Sequence, residues 1–282
     1  MTEINDSIEK LINRLKSDDT ARRHTNYFHY TTIENADKIL NSGTFWLNNF
    51  EKDGNDKNDC RQGEFSLCFS TGTSENLPLW YLYSGIDGKG VRLGLKKKDF
   101  IDLINNPKLY IAEYDSKNRI LIPGTERKID KLKVAARDIL YIGKDSTKNA
   151  YRSKYNGASQ FNISEEEYQI IKCEYEHTKG LIWFYEKETR IQVKAEDIDE
   201  SKEYRVVLDI SKIIPKIKLR FAPNVDDEYK TKILSEKQGF RKYARSLFED
   251  SDYKGEIDLK LQKKYIESLN LCDKCLEKIK EN

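Results

Sequence analysis

The sequence predicts an α+β fold in which two mostly antiparallel sheets pack together, with peripheral helices and a helical C-terminal appendage. Short aromatic or alternating segments, typical of strands, are interleaved with short amphipathic helices. The long, regular β–α alternation of a parallel sheet is missing from the sequence. We therefore predict one α+β domain over residues 1–225, with a helix at residues 4–17 packed on it, and a helical extension over residues 226–282.

Composition limits the classes of function. The 282 residues are 38% hydrophobic and 35% charged, and the net charge is +2, so any nucleic-acid site must be a local patch. No apolar run reaches the roughly 18 residues of a membrane span. The polar, acidic start Met1–Asp6 does not resemble a signal peptide. Five cysteines at scattered spacings suggest reduced thiols. We expect a cytoplasmic protein with no membrane partner.

The chain is organised around residues 27–43. Aromatic residues predict a strand from Tyr27 to Tyr30, and Thr31 with Glu34 forms a capping-box pattern before an amphipathic helix. Gly43 stands where a helix-ending glycine belongs. His29 lies near the corner between strand and helix, where backbone donors and a polar side chain can meet a nucleotide. A half-buried histidine with satisfied hydrogen bonds is the alternative.

Residues 64–95 predict a strand, a helix and a second strand. The helix Leu77–Tyr83 carries Trp80 and Tyr83 at positions i and i+3. These aromatic residues are either part of the core or a wall for a flat ring. Further along, Arg127–Leu140 has the periodicity of an amphipathic helix. The basic, tyrosine-containing segment Lys144–Ser159 is either a solvated loop, which its composition favours, or a site for single-stranded nucleic acid.

A later apolar segment contains Glu186-x-Glu188-x-Arg190. Strand alternation predicts that these three side chains share one face. Two carboxylates at i and i+2 repel each other unless a cation or ligand compensates, and Arg190 supplies part of that charge. A carboxylate held in this way can orient a sugar hydroxyl and stabilise a developing oxocarbenium ion. An exposed ion-pair ladder is the alternative.

The sequence predicts no metal site. The acidic residues of the Asn48–Gly63 loop lack the spacing and the closing glutamate of a calcium loop. Cys272 and Cys275 form a single Cys-x-x-Cys pair, whereas structural zinc requires four ligands.

Residues 25–235 contain a series of motifs in a fixed order: His29-Tyr30-Thr31, Ile39-Leu40-x-x-Gly43, Phe69-Ser70, Leu79-Trp80-x-x-Tyr83, Gly90-Val91-x-Leu93-Gly94 and Glu186-x-Glu188-x-Arg190. Together these motifs resemble an uncharacterised bacterial domain-of-unknown-function family that is widespread near mobile elements and defence genes. This pattern is in turn similar to the ADP-ribosyltransferase superfamily, whose Ser-Thr-Ser element and paired glutamates resemble Ser70-Thr71 and Glu186-x-Glu188. Two departures are the degenerate Asn48–Asp59 loop and Leu82, where the family often has histidine.

The resemblance implies an ADP-ribosyltransferase-like fold and an NAD-dependent ADP-ribosyltransferase or NAD glycohydrolase. Such an enzyme would be a bacterial toxin or antiviral defence effector, with a protein or nucleic acid as acceptor. Glu188 would hold the ribose 2′-hydroxyl, Glu186 would orient the acceptor and Tyr83 would stack on the nicotinamide. The resemblance also implies a set of NAD-binding residues: His29, Tyr30, Thr31, Thr32, Ser70, Trp80, Tyr81 and Arg190.

Two other classes of function stay open at this point. The chain is alternatively a non-catalytic module that senses a nucleotide or nucleic acid in a defence system, using His29 and the Lys144–Lys154 patch. The second alternative is an interaction protein that binds a protein partner through its charged C-terminal helices.

Overall fold

A computed structural model describes residues 6–17, 21–49, 63–73, 75–85, 88–128, 133–145, 150–155, 161–175, 178–180, 185–195, 198–199, 201–242 and 248–249. Within these ranges the chain is mixed α+β, with several helices and strands that pair mostly antiparallel. The predicted α+β class and its antiparallel character are confirmed. The likeness to ADP-ribosyltransferases stays a prediction.

The described helices are α1 Asp6–Lys16, α2 Ile33–Ser42, α3 Leu77–Tyr83, α4 Lys97–Asn105, α5 Glu165–Glu174, α6 Asp227–Glu236 and α7 Gln238–Arg241. The described strands are β1 Asn26–Thr32, β2 Thr44–Asn49, β3 Glu64–Thr71, β4 Gly90–Lys96, β5 Leu109–Asp115, β6 Ile120–Leu121, β7 Lys133–Asp138, β8 Leu140–Asp145, β9 Ala150–Tyr155, β10 Phe161–Ile163, β11 Thr178–Gly180, β12 Glu188–Lys194, β13 Tyr204–Asp209, β14 Lys218–Phe221 and β15 Phe248–Glu249. No helix among the described residues is both long enough and apolar enough to cross a membrane.

The chain divides into two compact units, and the first consists of Met1–His24, Leu47–Thr71 and Leu109–Val206. In this unit β12 lies between β3 and β7 and pairs antiparallel with both. Because side chains alternate along a strand, β3 and β12 present one apolar and one polar side. The apolar side carries Phe65, Leu67, Phe69, Ile191 and Val193. We call the other side the polar face; it carries Ser66, Cys68, Ser70, Glu188, Arg190 and Gln192.

A second sheet of the first unit has the strand order β10-β9-β8-β11, in which β8 and β11 are parallel. Helix α1 contributes Ile12 and Leu15, which lie one turn apart and pack with residues of β8 and α5. Helix α5 begins with a complete capping box between Ser164 and Glu167. These contacts give the first unit a core of buried side chains, made of Ile12, Leu15, Leu140, Ile142, Ile163, Ile171 and Tyr175.

The second unit consists of Thr25–Trp46, Gly72–Lys108 and Val207–Asn282. Strand β4 lies between β1 and β14 and pairs antiparallel with both. Helix α2 is capped by Thr32, whose Oγ1 accepts a hydrogen bond from the backbone N–H of Asn35 at 3.3 Å. The cap is thus one residue later than the predicted Thr31. The predicted stop is confirmed, since Gly43 has φ 72° and its N–H donates to the Ile39 carbonyl.

Two predictions of local structure are wrong. The segment Arg127–Leu140, which was predicted to be a helix, contains strand β7. The segment Lys144–Ser159, whose composition favoured a solvated loop, contains strand β9. Ala136 and Ile191 are register partners on the buried side of the β7–β12 pair. The pairing with β12 therefore prevails over the helical periodicity of the sequence.

The C-terminal helices of the described part belong to the second unit. Helix α7 packs closely on α2, because the N–H of Gly239 donates to Asp37 Oδ1 at 2.7 Å and Phe240 is buried. The predicted domain boundary after residue 225 stays a prediction. Residues 50–62 and 250–282, including Cys272 and Cys275, lie outside the described residues.

Candidate functional site

The candidate site lies on the polar face of the first unit, where β3 ends and β12 begins. Ser70 and Glu188 are register partners there, and Arg190 follows on the same side of β12. All three side chains are buried, with Glu188 3% and Arg190 2% exposed. Buried charges are stable only when other groups pair with them, so the neighbours of Glu188 decide what this site can do.

Glu186 also belongs to this site, but its backbone does not lie in the predicted strand. It lies in a short 3-10 turn and strand β12 begins only at Glu188, so the prediction that both carboxylates share one strand face is wrong. Lys187 between them has φ 45°, and this left-handed residue interrupts the alternation of an extended strand. Thr71 holds the turn, since both its N–H and its hydroxyl donate to the Lys187 carbonyl.

Lys179 joins the two carboxylates. Its Nζ lies 2.7 Å from Glu186 Oε2 and 2.7 Å from Glu188 Oε2. On the other side, Arg190 Nε donates to Glu188 Oε1 at 2.6 Å. We call Glu186, Glu188, Lys179 and Arg190 the carboxylate cluster; it contains equal numbers of anions and cations.

Electrostatics keep the carboxylate cluster charged. Burial by itself would raise the pKa of Glu188, but the charges of Arg190 and Lys179 hold that pKa well below its usual range. Burial would lower the pKa of Lys179, and the carboxylates of Glu186 and Glu188 instead raise it well above its usual value. Glu188 is therefore an ionised carboxylate in a buried place at neutral pH.

Two further groups touch the cluster, and sequence reasoning selected neither. The Tyr141 hydroxyl accepts a hydrogen bond from the Glu188 backbone N–H at 2.8 Å, and burial followed by the charges of Glu186 and Glu188 raises the pKa of Tyr141. Cys68 is the register partner of Arg190. Burial, followed by the charge of Glu188, raises the pKa of the Cys68 thiol. Cys68 is accordingly protonated at neutral pH and is a poor nucleophile.

Asp138 supports the start of β12 from the apolar side. Its fully buried carboxylate accepts a hydrogen bond from the Thr189 hydroxyl, and both of its oxygens lie 3.0 Å from His24 Nε2. The neighbouring Ile139 N–H donates to the Glu188 carbonyl at 3.0 Å. These bonds fix the backbone of Glu188. The sequence carries no local signal for them, because His24 and Asp138 are more than a hundred residues apart.

In the second unit, the residues of β1 that were predicted to bind a nucleotide mostly contact neighbouring groups of the protein. His29 is half-buried, and its ring makes an edge contact with Phe45 at 5.4 Å. The buried Tyr30 accepts a hydrogen bond through its hydroxyl from the Asn76 N–H at 3.0 Å. Thr31 and Thr32 are buried, and the Thr32 hydroxyl caps α2.

The aromatic residues of α3 differ in exposure. Trp80 is fully buried, packs edge-on against Tyr30 at 4.7 Å between ring centroids, and donates through Nε1 to Glu75 Oε2 at 3.1 Å. Trp80 is therefore a core residue, as the alternative interpretation had it. Tyr81 is also buried, whereas Tyr83 is half-buried.

The predicted site residues thus form two sets. Ser70, Glu186, Glu188 and Arg190 come together in the first unit. The second unit contains the rest: His29, Tyr30, Thr31, Thr32, Trp80, Tyr81 and Tyr83. A single pocket lined by members of both sets stays a prediction.

Within the described ranges, no group of three or more His, Cys, Asp or Glu side chains is arranged to hold a metal ion. Comparison with known proteins gave no match to any family model, curated protein or solved structure. The resemblance to the domain-of-unknown-function family and to ADP-ribosyltransferases therefore stays a prediction.

Proposed function

We propose that this chain is an NAD-dependent ADP-ribosyltransferase-like enzyme, either a transferase or an NAD glycohydrolase. The observation that carries the proposal is Glu188, a buried carboxylate held ionised with Ser70 opposite it and Glu186 beside it. Cleavage of the nicotinamide glycosidic bond develops positive charge on the ribose. A fixed carboxylate stabilises such a charge more strongly in a buried place than in water.

The proposed reaction balances without any oxidant or reductant. The bond between ribose C1′ and the nicotinamide nitrogen breaks, and its electron pair neutralises the positively charged ring. Glu188 accepts a hydrogen bond from the ribose 2′-hydroxyl while charge develops on the sugar. Water or an acceptor group then bonds to C1′, and its proton passes to the Glu186 carboxylate.

Glu188 keeps capacity for this role although two cations already contact it. A carboxylate offers about four acceptor sites on its two oxygens. Arg190 donates to Oε1 through Nε and, at 3.4 Å, to Oε2 through Nη2; Lys179 contacts Oε2, and the Cys68 thiol also bonds to the carboxylate. The long bond and the thiol bond are the weak ones, so a ribose hydroxyl can replace either of them while Lys179 and Arg190 Nε keep the carboxylate ionised.

The proposal is tested with NAD labelled in its ADP-ribose part, by following nicotinamide release and transfer of label to protein or nucleic acid. We expect Glu188→Gln to reduce both rates about 10²-fold or more, the size of one preorganised transition-state contact. Glu186→Gln should reduce transfer more than hydrolysis. Glu166→Gln, on the exposed surface of α5, is the matched control and should change neither rate.

Thermal melting separates loss of the reaction from loss of the fold in each variant. A Glu188→Gln protein that melts like the wild type and retains full nicotinamide release would make Glu188 a purely structural residue. A wild-type protein that releases no nicotinamide, with or without added protein and nucleic acid, would also contradict the proposal.

A non-catalytic nucleotide-sensing module is the second candidate, and one observation favours it. The carboxylate cluster is charge-balanced without any ligand, as expected of a group whose role is structural. In that case the wild type binds nucleotide without releasing nicotinamide, and Glu188→Gln leaves the binding intact. A role as a toxin or antiviral defence effector belongs to the first candidate, for which Glu188→Gln should abolish any growth arrest on expression in bacteria.

A further inference from the structure

Arg92, in β4 of the second unit, is a buried cation whose donors are only partly satisfied by the described residues. Its side chain is only 6% exposed, and its guanidinium lies 4.0 Å above the ring of Phe28 and 5.9 Å from the ring centroid of Tyr30. Among the described residues, Nε and Nη1 of Arg92 have no hydrogen-bond partner. Arginine stays protonated even when buried, so this charge is stable only if something compensates it.

A second arginine lies directly beside it. Arg220 of β14 is the register partner of Arg92, so the two side chains project from the same side of the sheet. Arg220 Nη1 donates to Glu75 Oε1 at 2.9 Å, and the other oxygen of Glu75 accepts from Trp80 Nε1. Glu249 of β15 is also a register partner of Arg220, so what the described residues leave unsatisfied at Arg92 is the donor pair Nε and Nη1 rather than a net charge.

We propose that the arginine pair, Arg92 and Arg220, binds a phosphate group. The planar guanidinium presents donors in a geometry that fits phosphate oxygens, and two adjacent guanidinium groups fit a diphosphate. The bound anion takes up the unused donors of Arg92. It enters beside Arg220, whose side chain is 16% exposed, and then reaches the more deeply buried Arg92.

The phosphate has two possible sources, a free phosphate or the diphosphate of a dinucleotide. The second source rests on the proposed function, since NAD carries a diphosphate and the predicted NAD-binding residues Tyr30 and Tyr83 lie in the same unit. The chemistry that Arg92 recognises is the same in both cases. The arginine pair can therefore be tested first with pyrophosphate alone.

The test is titration of the full chain with pyrophosphate at constant ionic strength, followed by phosphorus NMR and by the melting temperature. We expect saturable binding that raises the melting temperature of the wild type. Arg92→Met should weaken the affinity about tenfold or more, as expected for lost hydrogen bonds to a charged ligand. Arg241→Met removes an exposed arginine from α7 of the same unit and should leave the affinity within about twofold.

The proposal is overturned if the wild type shows no saturable binding, or if Arg92→Met binds pyrophosphate like the wild type. If Arg92→Met does not fold, Arg92→Lys is the second variant, because it keeps the positive charge but lacks the planar guanidinium group. It should bind several-fold more weakly than the wild type, and unchanged affinity in Arg92→Lys would also overturn the proposal.

Competition identifies the source of the phosphate. Displacement of pyrophosphate by NAD and by ADP-ribose assigns the arginine pair to a dinucleotide, and no displacement assigns it to free phosphate. Nicotinamide release is measured on the same samples. Binding without release removes the catalytic proposal and supports the arginine pair, whereas release without any pyrophosphate binding does the reverse.

Discussion

The first unit buries two carboxylates whose charges are met by two cations, whereas the second buries the guanidinium group of Arg92, two of whose donors have no hydrogen-bond partner among the described residues. In the carboxylate cluster, Lys179 is placed to satisfy both glutamates at once. In the arginine pair, Glu75 forms an ion pair with Arg220, whereas Arg92 lies against aromatic rings and keeps two donors unsatisfied among the described residues. The difference teaches that burial of charge does not by itself indicate a ligand site. Buried donors that the described residues leave unsatisfied are a more direct indication, because another molecule can complete their hydrogen bonds.

The largest effect is expected from unbalancing the first cluster. Lys179→Met leaves Glu186 and Glu188 buried with Arg190 alone, and removal of one partner from a buried pair costs about 3–5 kcal/mol in the free energy of unfolding. Urea denaturation measures this loss. Lys194→Met, an exposed lysine at the end of β12, is the control and should cost less than about 0.5 kcal/mol. A loss below about 1 kcal/mol for Lys179→Met would show that solvent, rather than Lys179, compensates the carboxylates.

Acid should weaken the carboxylate cluster in a defined direction. Because the folded-state pKa of Glu188 is depressed, its contribution to stability is complete above the ordinary glutamate value of 4.5 and is lost as the pH falls below it. Between pH 5 and pH 3 the wild type should therefore lose up to about 1.4 kcal/mol per pH unit more than Glu188→Gln. Denaturation curves across that pH range provide the measurement. Parallel curves for the two proteins would mean that Glu188 is not held ionised by Lys179 and Arg190.

The smallest effect is expected at Arg92 in the absence of ligand. Arg92→Met removes a buried charge that has no ion partner among the described residues, so the gain in desolvation offsets the lost aromatic contacts. We expect the free energy of unfolding to change by less than about 1 kcal/mol. Arg220→Met strands the carboxylate of Glu75 and should cost more. A larger loss for Arg92→Met than for Arg220→Met, measured in phosphate-free buffer, would make Arg92 a structural residue.

Local signals predicted local structure well. The segment from β1 through α2 to β2 follows from an aromatic strand, a threonine cap and Gly43, all of which act within a few residues of each other. The pairing of Glu188 with Arg190 was also predictable, because alternation along a strand places residues i and i+2 on the same side. Only the turn at Lys187 was hidden, since nothing in the sequence marks a lysine for a left-handed conformation.

Contacts between distant segments were not predictable in the same way. Tyr141 and Lys179 are brought side by side by the pairing of β8 with β11, and Arg92 and Arg220 by the pairing of β4 with β14. A single charged residue in a strand carries no periodic signal that marks its partner. The misassignment of β7 as a helix has the same origin, because its pairing with β12 decides its conformation.

The pairing of β3 with β12 delays completion of the candidate site during protein synthesis. Ser70 and Glu188 are register partners, although roughly 120 residues of chain separate them. At about 5–20 residues per second, a ribosome needs on the order of ten seconds to synthesise β12 after β3. Throughout that interval the chain contains Ser70 but not the Glu188 carboxylate that lies opposite it in the folded protein. A chain that ends between β3 and β12, through early release or cleavage, therefore contains Ser70 of the site but lacks Glu188.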